Sequence, residues 1–383
     1  MGVQTTQTTI LLKDTPVASG VGAPIHNKKR GAAYSNGWNG LYPKMSTAPF
    51  HPVSVFVRVR SHKGARERTR TLSVRSSADG ATDSRSEVVL DSRSFVFDQA
   101  GDEGTSQARV FDVVGRPTLD AFLGGYNGTI LCYGQSGSGK TYTMTGGKQD
   151  DRGLLPRLLE EALGELARRQ QAEFDAEAST ADAGATFYCS CSFLQIHNDQ
   201  ITDLLAPASA SLRLREAPDA RGTFVDGLKQ VQLRSAAEAL RTLALGTRRR
   251  TVASTLLNDH SSRSHAVFIL RLQRVTRASD GLQSVRTSQL NLVDLAGSER
   301  QARVTQSSSE LGMPACAEDE SLLLDEACSI NRSLSALSGV IQVGDLAGGV
   351  WHRDDCLSKC LDLRMIAYLR SRWTLSDSER VRE

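Results

Sequence analysis

The chain has 383 residues, 39% of them hydrophobic and 23% charged, with a formal net charge of +3. That length supports a sizeable buried core in one large α/β domain or two smaller ones, and no apolar run approaches the roughly 20 residues a membrane span needs. So small a net charge calls for no nucleic-acid partner, and seven cysteines, odd in number and scattered, read as packed thiols of a reducing compartment rather than as disulfides or zinc ligands.

Residues 1–51 are rich in Thr, Gly, Ala and Asn, carry Asp14 as their single acid, and lack helical or strand periodicity. A flexible arm is expected there. Its start, Met1-Gly2-Val3-Gln4-Thr5-Thr6, formally fits an N-myristoylation pattern, and Lys28-Lys29-Arg30 forms a small basic patch; both patterns are too short to carry a prediction. From Pro52 the texture changes. Val53 to Val59 reads as a strand, and Phe95-Val96-Phe97 as another after a polar, Ser/Arg-rich stretch. Gln107 to Leu123 has helical spacing, and so does Leu154 to about Gln171. Ala185 to Gln195 and His265 to Val275 alternate as strands, and Ser288 to Val293 is a further strand that ends in an acid. Cys189 and Cys191, two apart in a strand, share one face. Arg248-Arg249-Arg250 is the densest charge cluster; a solvated face is its plain reading, contact with a partner the sharper one. Strands and helices interleaved in this way predict an α/β fold, a central sheet flanked by helices on both faces with its ligand at the carboxyl ends of the strands.

Three segments carry chemistry. The apolar run Thr129 to Tyr133 leads into Gly134-Gln135-Ser136-Gly137-Ser138-Gly139-Lys140-Thr141, a complete G-x-x-x-x-G-K-[ST] phosphate loop. Its glycines let backbone N–H groups turn inward around phosphates, Lys140 reaches the β and γ oxygens, and the Thr141 hydroxyl can ligate Mg²⁺, so a nucleoside triphosphate is the expected ligand. Asp294-Leu295-Ala296-Gly297 places an acid at a strand end with a glycine three residues on. Asp294 can hold Mg²⁺ through a water, and Gly297 can offer its N–H to a γ-phosphate and withdraw when that phosphate leaves. Between them, Asn258 to His265 is a run of hydroxyls, amide and guanidinium. It can close over phosphate and metal, or serve simply as a helix-capping loop.

Together, Gly134 to Thr141, N-x-x-S-S-R-S-H at 258–265 and D-L-A-G-S-E at 294–299 resemble the kinesin motor domain. Val55 to Arg60, Ser192 to Asp199 and Ile330 to Leu337 resemble further kinesin segments, and the likeness runs from about residue 52 to 370. It implies a P-loop NTPase-type mixed sheet, ATP and Mg²⁺ as cofactors, microtubules as partner, and a place on the cytoplasmic cytoskeleton. By the same resemblance, Gly134, Gln135, Ser136, Gly137, Ser138, Gly139, Lys140 and Thr141 hold the phosphates, and Arg58 and Tyr142 meet the adenine. Thr141, Ser262 and Asp294 serve the metal. Ser261 positions the attacking water, Arg263 and Glu299 form the ion pair that closes the site, and Gly297 senses the γ-phosphate. The microtubule face is implied to include the helix Leu322 to Val343 with Arg332, and a basic loop that keeps Arg353.

The chain departs from the kinesin pattern at several places. Ser61 stands for a proline, Asp355 for a serine and Cys356 for a lysine, and residues 301–320 lack the usual T-G-A-x-G. The turn expected after Leu361-Asp362 is missing, so Leu363 to Ala367, which resembles the last strand, follows at once. The motor domain is therefore expected to be incomplete at its C-terminal end. Residues 371–383 form a polar tail, and with no neck or heptad repeat the chain is expected to be a monomer. A non-motile microtubule-binding or regulatory protein, or a truncated product, is the alternative to an ATP-driven motor.

Overall fold

The computed structural model describes residues 8–14, 17–18, 53–60, 72–76, 85–90, 93–177, 185–206, 212–216, 223–255, 263–277, 283–298, 328–335 and 337. In chain order the N-terminal part contains strands β1 (Thr8–Asp14), β2 (Val17–Ala18), β3 (Val53–Val59), β4 (Leu72–Ser76), β5 (Ser86–Leu90), β6 (Arg93–Phe97) and β7 (Gln99–Gly101). Helix α1 (Gln107–Val110), a π turn at Phe111–Gly115 and α2 (Arg116–Leu123) lead to strand β8 (Tyr126–Tyr133) and the short helix α3 (Lys140–Met144). Then come α4 (Leu154–Glu177), β9 (Ala185–His197), β10 (Gln200–Asp203), β11 (Arg213–Glu216), β12 (Thr223–Asp226), β13 (Val231–Leu233), α5 (Ala236–Thr255), β14 (His265–Arg277) and β15 (Gln283–Asp294). Residues 328–335 are helical and are called α6. No helix among the described residues is long and apolar enough to cross a membrane.

The main sheet runs β10-β9-β14-β15-β8-β1-β3-β7, with β13 added to β9 and β2 to β8. It is mixed. β14 is antiparallel to both of its neighbours, β9 and β15, whereas β15 and β8 are parallel, with Asp294 opposite Cys132. That parallel pair brings two carboxyl ends side by side, where open α/β sheets bind ligands. Alternation along the strands then builds two cores. Ile130, Cys132, Phe193, Phe268, Leu270, Leu290 and Leu292 face one way and pack with α2, α4 and α5. Leu131, Leu194, Val267, Ile269 and Val293 face the other way and pack with Leu334 and Leu337. The sheet is thus covered on both faces, as the interleaved elements predict.

Several expectations need correction. β1 and β2 lie within the stretch expected to be a flexible arm. β1 pairs antiparallel with β3 over seven positions, from Thr8↔Val59 to Asp14↔Val53, and with β8 from Ile10↔Tyr133 to Lys13↔Ile130. Thr8-Thr9-Ile10-Leu11-Leu12 is β-favouring but not alternating, as suits a strand inside a sheet, which periodicity does not reveal. The helix expected from Gln107 to Leu123 is interrupted by the π turn, where the Gly115 position leaves no room for a Cβ, which would meet Phe111 Cδ2 at 2.6 Å. The Ser/Arg-rich stretch before Phe95 contributes a separate three-stranded sheet, β4-β5-β6, in which Phe95 and Val96 are exposed. Cys189 and Cys191 do share a face and are buried, with both thiols pushed up to about 12, chiefly by burial.

Candidate functional site

Strand β8 delivers the chain to the phosphate loop. Gly137 and Gly139 take φ of 74° and 102°, a left-handed region that a Cβ disfavours by about 1–2 kcal/mol. These two turns let the backbone curl before α3 begins at Lys140. The Lys140 ammonium is folded into that curl and donates to the carbonyls of Gly134 and Gln135, both at 2.9 Å.

The second segment meets the first directly. Thr141 Oγ1 donates to Asp294 Oδ2 at 2.7 Å, and the backbone N–H of Ser298 donates to the Gly134 carbonyl at 3.2 Å. Register explains this, because β15 and β8 end level with each other. The third segment joins through His265, at the start of β14, whose Nδ1 accepts from the Ala296 N–H at 3.2 Å. Ala266 is paired with Asp294 across β14 and β15, so His265 falls beside the loop that follows.

Asp294 is held by a partner that the motifs do not include. Arg250 Nη1 donates to the same Oδ2 at 2.7 Å, and its Nη2 donates to the Ser264 carbonyl at 3.1 Å. Both side chains are buried, 9% and 4% exposed. The cluster Arg248-Arg249-Arg250 is therefore not uniformly a solvated face. Arg248 is exposed, Arg249 donates to the Leu204 carbonyl at 2.9 Å, and Arg250 is interior. A periodic signal was available: Ala239, Leu243, Gly246 and Arg250 form one buried stripe of α5 at helical spacing.

At the other end of the loop, Arg58 and Tyr142 come together as expected, with the guanidinium 5.3 Å from the ring centroid. Arg58 donates to Gln107 Oε1 at 2.8 Å, Thr143 Oγ1 at 3.0 Å and the Thr105 carbonyl at 3.0 Å, and burial lowers its pKa below the usual arginine value. Gln107, unsuspected from sequence, is the hub: it also donates to the Tyr142 carbonyl at 2.7 Å. The result is a stack in which Arg58 supports Tyr142, a residue that stays 44% exposed.

The donor set fits a triphosphate with a hydrated divalent cation. Asp294 Oδ1 is buried and has no hydrogen-bond partner among the described residues, a state that costs about 1–3 kcal/mol unless a water or ion completes it. Thr141 and Asp294 are the groups at hand for the metal, and the curled loop with Lys140 for the phosphates. Of the remaining expected site residues, Gln135, Ser136 and Ser138 lie in the loop, Gly297 follows Ala296, and Arg263 is half-buried just before Ser264. Arg332 lies on α6, 3.9 Å from Asp199. Ser261, Ser262, Glu299 and Arg353 fall outside the described residues, as does most of the helix expected from Leu322 to Val343.

Comparison with known proteins agrees with this geometry. The kinesin motor domain model matches residues 57–364. Kinesin-like protein KIF15 of Rattus norvegicus is 41% identical over 296 residues, 76% of this chain and 20% of the relative. Kinesin-like protein KIN-12B of Oryza sativa subsp. japonica is 36% identical over 304 residues, 76% and 25% respectively. This chain spans only about a fifth to a quarter of these relatives. A solved structure of a fast kinesin, described with implications for ATPase mechanism and interactions with microtubules, superposes with a TM-score of 0.59 at 32% identity, covering 79% of each chain. The chain belongs to the kinesin motor-domain family.

Proposed function

We propose that this chain binds and hydrolyses ATP with Mg²⁺ and couples the reaction to binding on microtubules. The observation that carries the reading is the convergence of three separate sequence segments at one strand edge: Thr141 on Asp294, Ser298 on Gly134, and Ala296 on His265. In this reading Gly134 to Thr141 cradles the phosphates and Tyr142, stacked on Arg58, offers its ring to the base. Thr141, Ser262 and Asp294 hold the metal, which neutralises charge on the phosphates. Ser261 positions the attacking water, Arg263 and Glu299 close the site, and Gly297 follows the γ-phosphate. Such chemistry needs mainly positioning and charge stabilisation, so closing and reopening of these loops is the step available for coupling. Arg332 and Arg353 are assigned to the acidic tubulin surface.

The family match supports a motor domain over 52–370, to which β1 adds a strand, and working partners in the cytoplasmic microtubule cytoskeleton. ATP turnover with and without microtubules tests the reading. Stimulation by microtubules is expected, together with a loss of roughly 10²-fold or more in Lys140→Ala; turnover that ignores microtubules would remove the motor. A second reading, a non-motile microtubule binder, is favoured by Asp355 and Cys356, which put an acid and a neutral residue in a basic loop. Co-sedimentation in ATP, in ADP and in a non-hydrolysable analogue separates the two, because a pure binder shows no dependence on nucleotide.

A further inference from the structure

His265 is buried, lies among none of the groups assigned above to phosphate, metal or base, and makes polar contacts with both the loop after β15 and α6. Its Nδ1 accepts from the Ala296 N–H, one residue before Gly297. Its Nε2 lies 2.9 Å from Ser333 Oγ on α6. Because Nδ1 is the acceptor, the neutral ring carries its proton on Nε2 and donates it to Ser333. The Ser333 hydroxyl in turn donates to the Ile330 carbonyl at 2.7 Å, within α6. Donors and acceptors thus run in one direction from the Ala296 backbone into the helix. Burial and the nearby Arg250 guanidinium lower the His265 pKa to about 4, so the ring keeps this neutral form near pH 7.

α6 has a second polar tether of a different kind. Ser329 Oγ donates to Asp199 Oδ1 at 3.1 Å, and Arg332 lies 3.9 Å from the same carboxylate. Asp199 belongs to the tight turn between β9 and β10, where Asn198 and Asp199 both take positive φ, 45° and 58°, and that turn is fixed by the Gln200↔His197 pairing. One tether is anchored to the β9–β10 corner of the sheet and the other to the loop that carries Gly297. Between them the helix seats Leu334 against the second core through apolar contacts, which tolerate sliding better than a directed hydrogen bond does.

We infer that His265 is a positioning residue that ties the Ala296-Gly297 loop to α6 through Ser333, so that movement of this loop swings the helix about its Asp199 tether. The inference rests on the proposed function, in which Gly297 follows the γ-phosphate and α6 carries Arg332 to the microtubule. It adds the physical link between them, one ring with one acceptor and one donor.

The test uses the full chain and the variants Ser333→Ala, Ser333→Thr and His265→Asn. Two quantities are read: amide hydrogen exchange across 328–335 in a non-hydrolysable ATP analogue against ADP, and the ratio of microtubule affinities in the same two states. In the unsubstituted chain the analogue changes exchange in α6. Ser333→Ala is expected to bind the analogue and turn over ATP without microtubules as before, while the α6 response disappears and the affinity ratio falls by about tenfold, within the usual range of coupling between sites. Ser333→Thr restores the hydroxyl and both responses. His265→Asn can replace only one of the two bonds, so the α6 response is expected to disappear in it too. Equal α6 responses in the unsubstituted chain and Ser333→Ala overturn the link. A chain that binds ATP without microtubule stimulation overturns the motor reading alone, because the exchange measurement still reads the link; a chain that binds no nucleotide overturns both.

Discussion

Replacing Arg250 with alanine is expected to be among the most damaging single changes in this chain. The guanidinium donates to Asp294 at 2.7 Å and to the Ser264 carbonyl at 3.1 Å, in a site where the two side chains are 9% and 4% exposed. Removing one member of a buried pair leaves the other charge without compensation, at a cost of about 3–5 kcal/mol. Thr141 still donates to the stranded carboxylate, which places the expected loss near the lower end, about 3 kcal/mol. A domain stable by about 5–15 kcal/mol keeps its fold after such a loss but unfolds at clearly lower urea. Arg250→Met combined with Asp294→Asn removes both charges and is expected to recover much of the loss, because buried pairs are often replaceable by neutral groups at little cost. Urea titrations of Arg250→Met, Asp294→Asn and the double variant give the coupling energy, expected to exceed about 1 kcal/mol. An Arg250→Ala cost below about 1 kcal/mol, with Arg250→Met additive to Asp294→Asn, would refute the claim that this pair is buried and mutually dependent.

Two further outcomes follow from the packing and from the buried imidazole. In the folded chain His265 titrates at about 4 against an ordinary 6.5, because burial disfavours its charged form. As pH falls below 6.5 the unfolded chain takes up this proton first, so stability drops between pH 6.5 and pH 4 by up to about 3 kcal/mol and the contribution levels off below that. His265→Asn should remove this part of the slope when urea midpoints are followed against pH; an unchanged slope would assign it to other groups. Gly246→Ala puts a methyl 2.3 Å from Phe193 Cδ1, and overpacking of about 1–3 kcal/mol is expected in thermal or urea unfolding. A stabilised variant, as the helix preference for alanine alone would give, would contradict the close approach of α5 to β9.

The phosphate loop, the acid at the end of β15 and the polar run before β14 were legible in the sequence because each is a local pattern whose chemistry depends on spacing along the chain. The alternation in β9 and β14 was legible for the same reason, and the alternation in β9 foretold the shared face of Cys189 and Cys191. β1 was not, since Thr8 to Asp14 acquires its role from pairing with β3 and β8, whose nearest partner, Val53 opposite Asp14, is 39 residues away in sequence. Nor were the contacts made by Arg250, Gln107 and His265. Each is a polar residue whose burial is tolerable only because a specific partner waits across the fold, and no one-dimensional pattern records that partner.

What the sequence determined by itself was therefore the family, the sheet-and-helix architecture and the three segments that meet a nucleotide. The tertiary structure alone decided how these segments touch: the level ends of β8 and β15 put Thr141 on Asp294, the buried stripe of α5 puts Arg250 behind it, and the Ala266↔Asp294 pairing sets His265 between Ala296 and Ser333. The reason is physical. Local propensity and spacing choose the elements, whereas strand register and the need to satisfy every buried polar group choose which of their side chains meet.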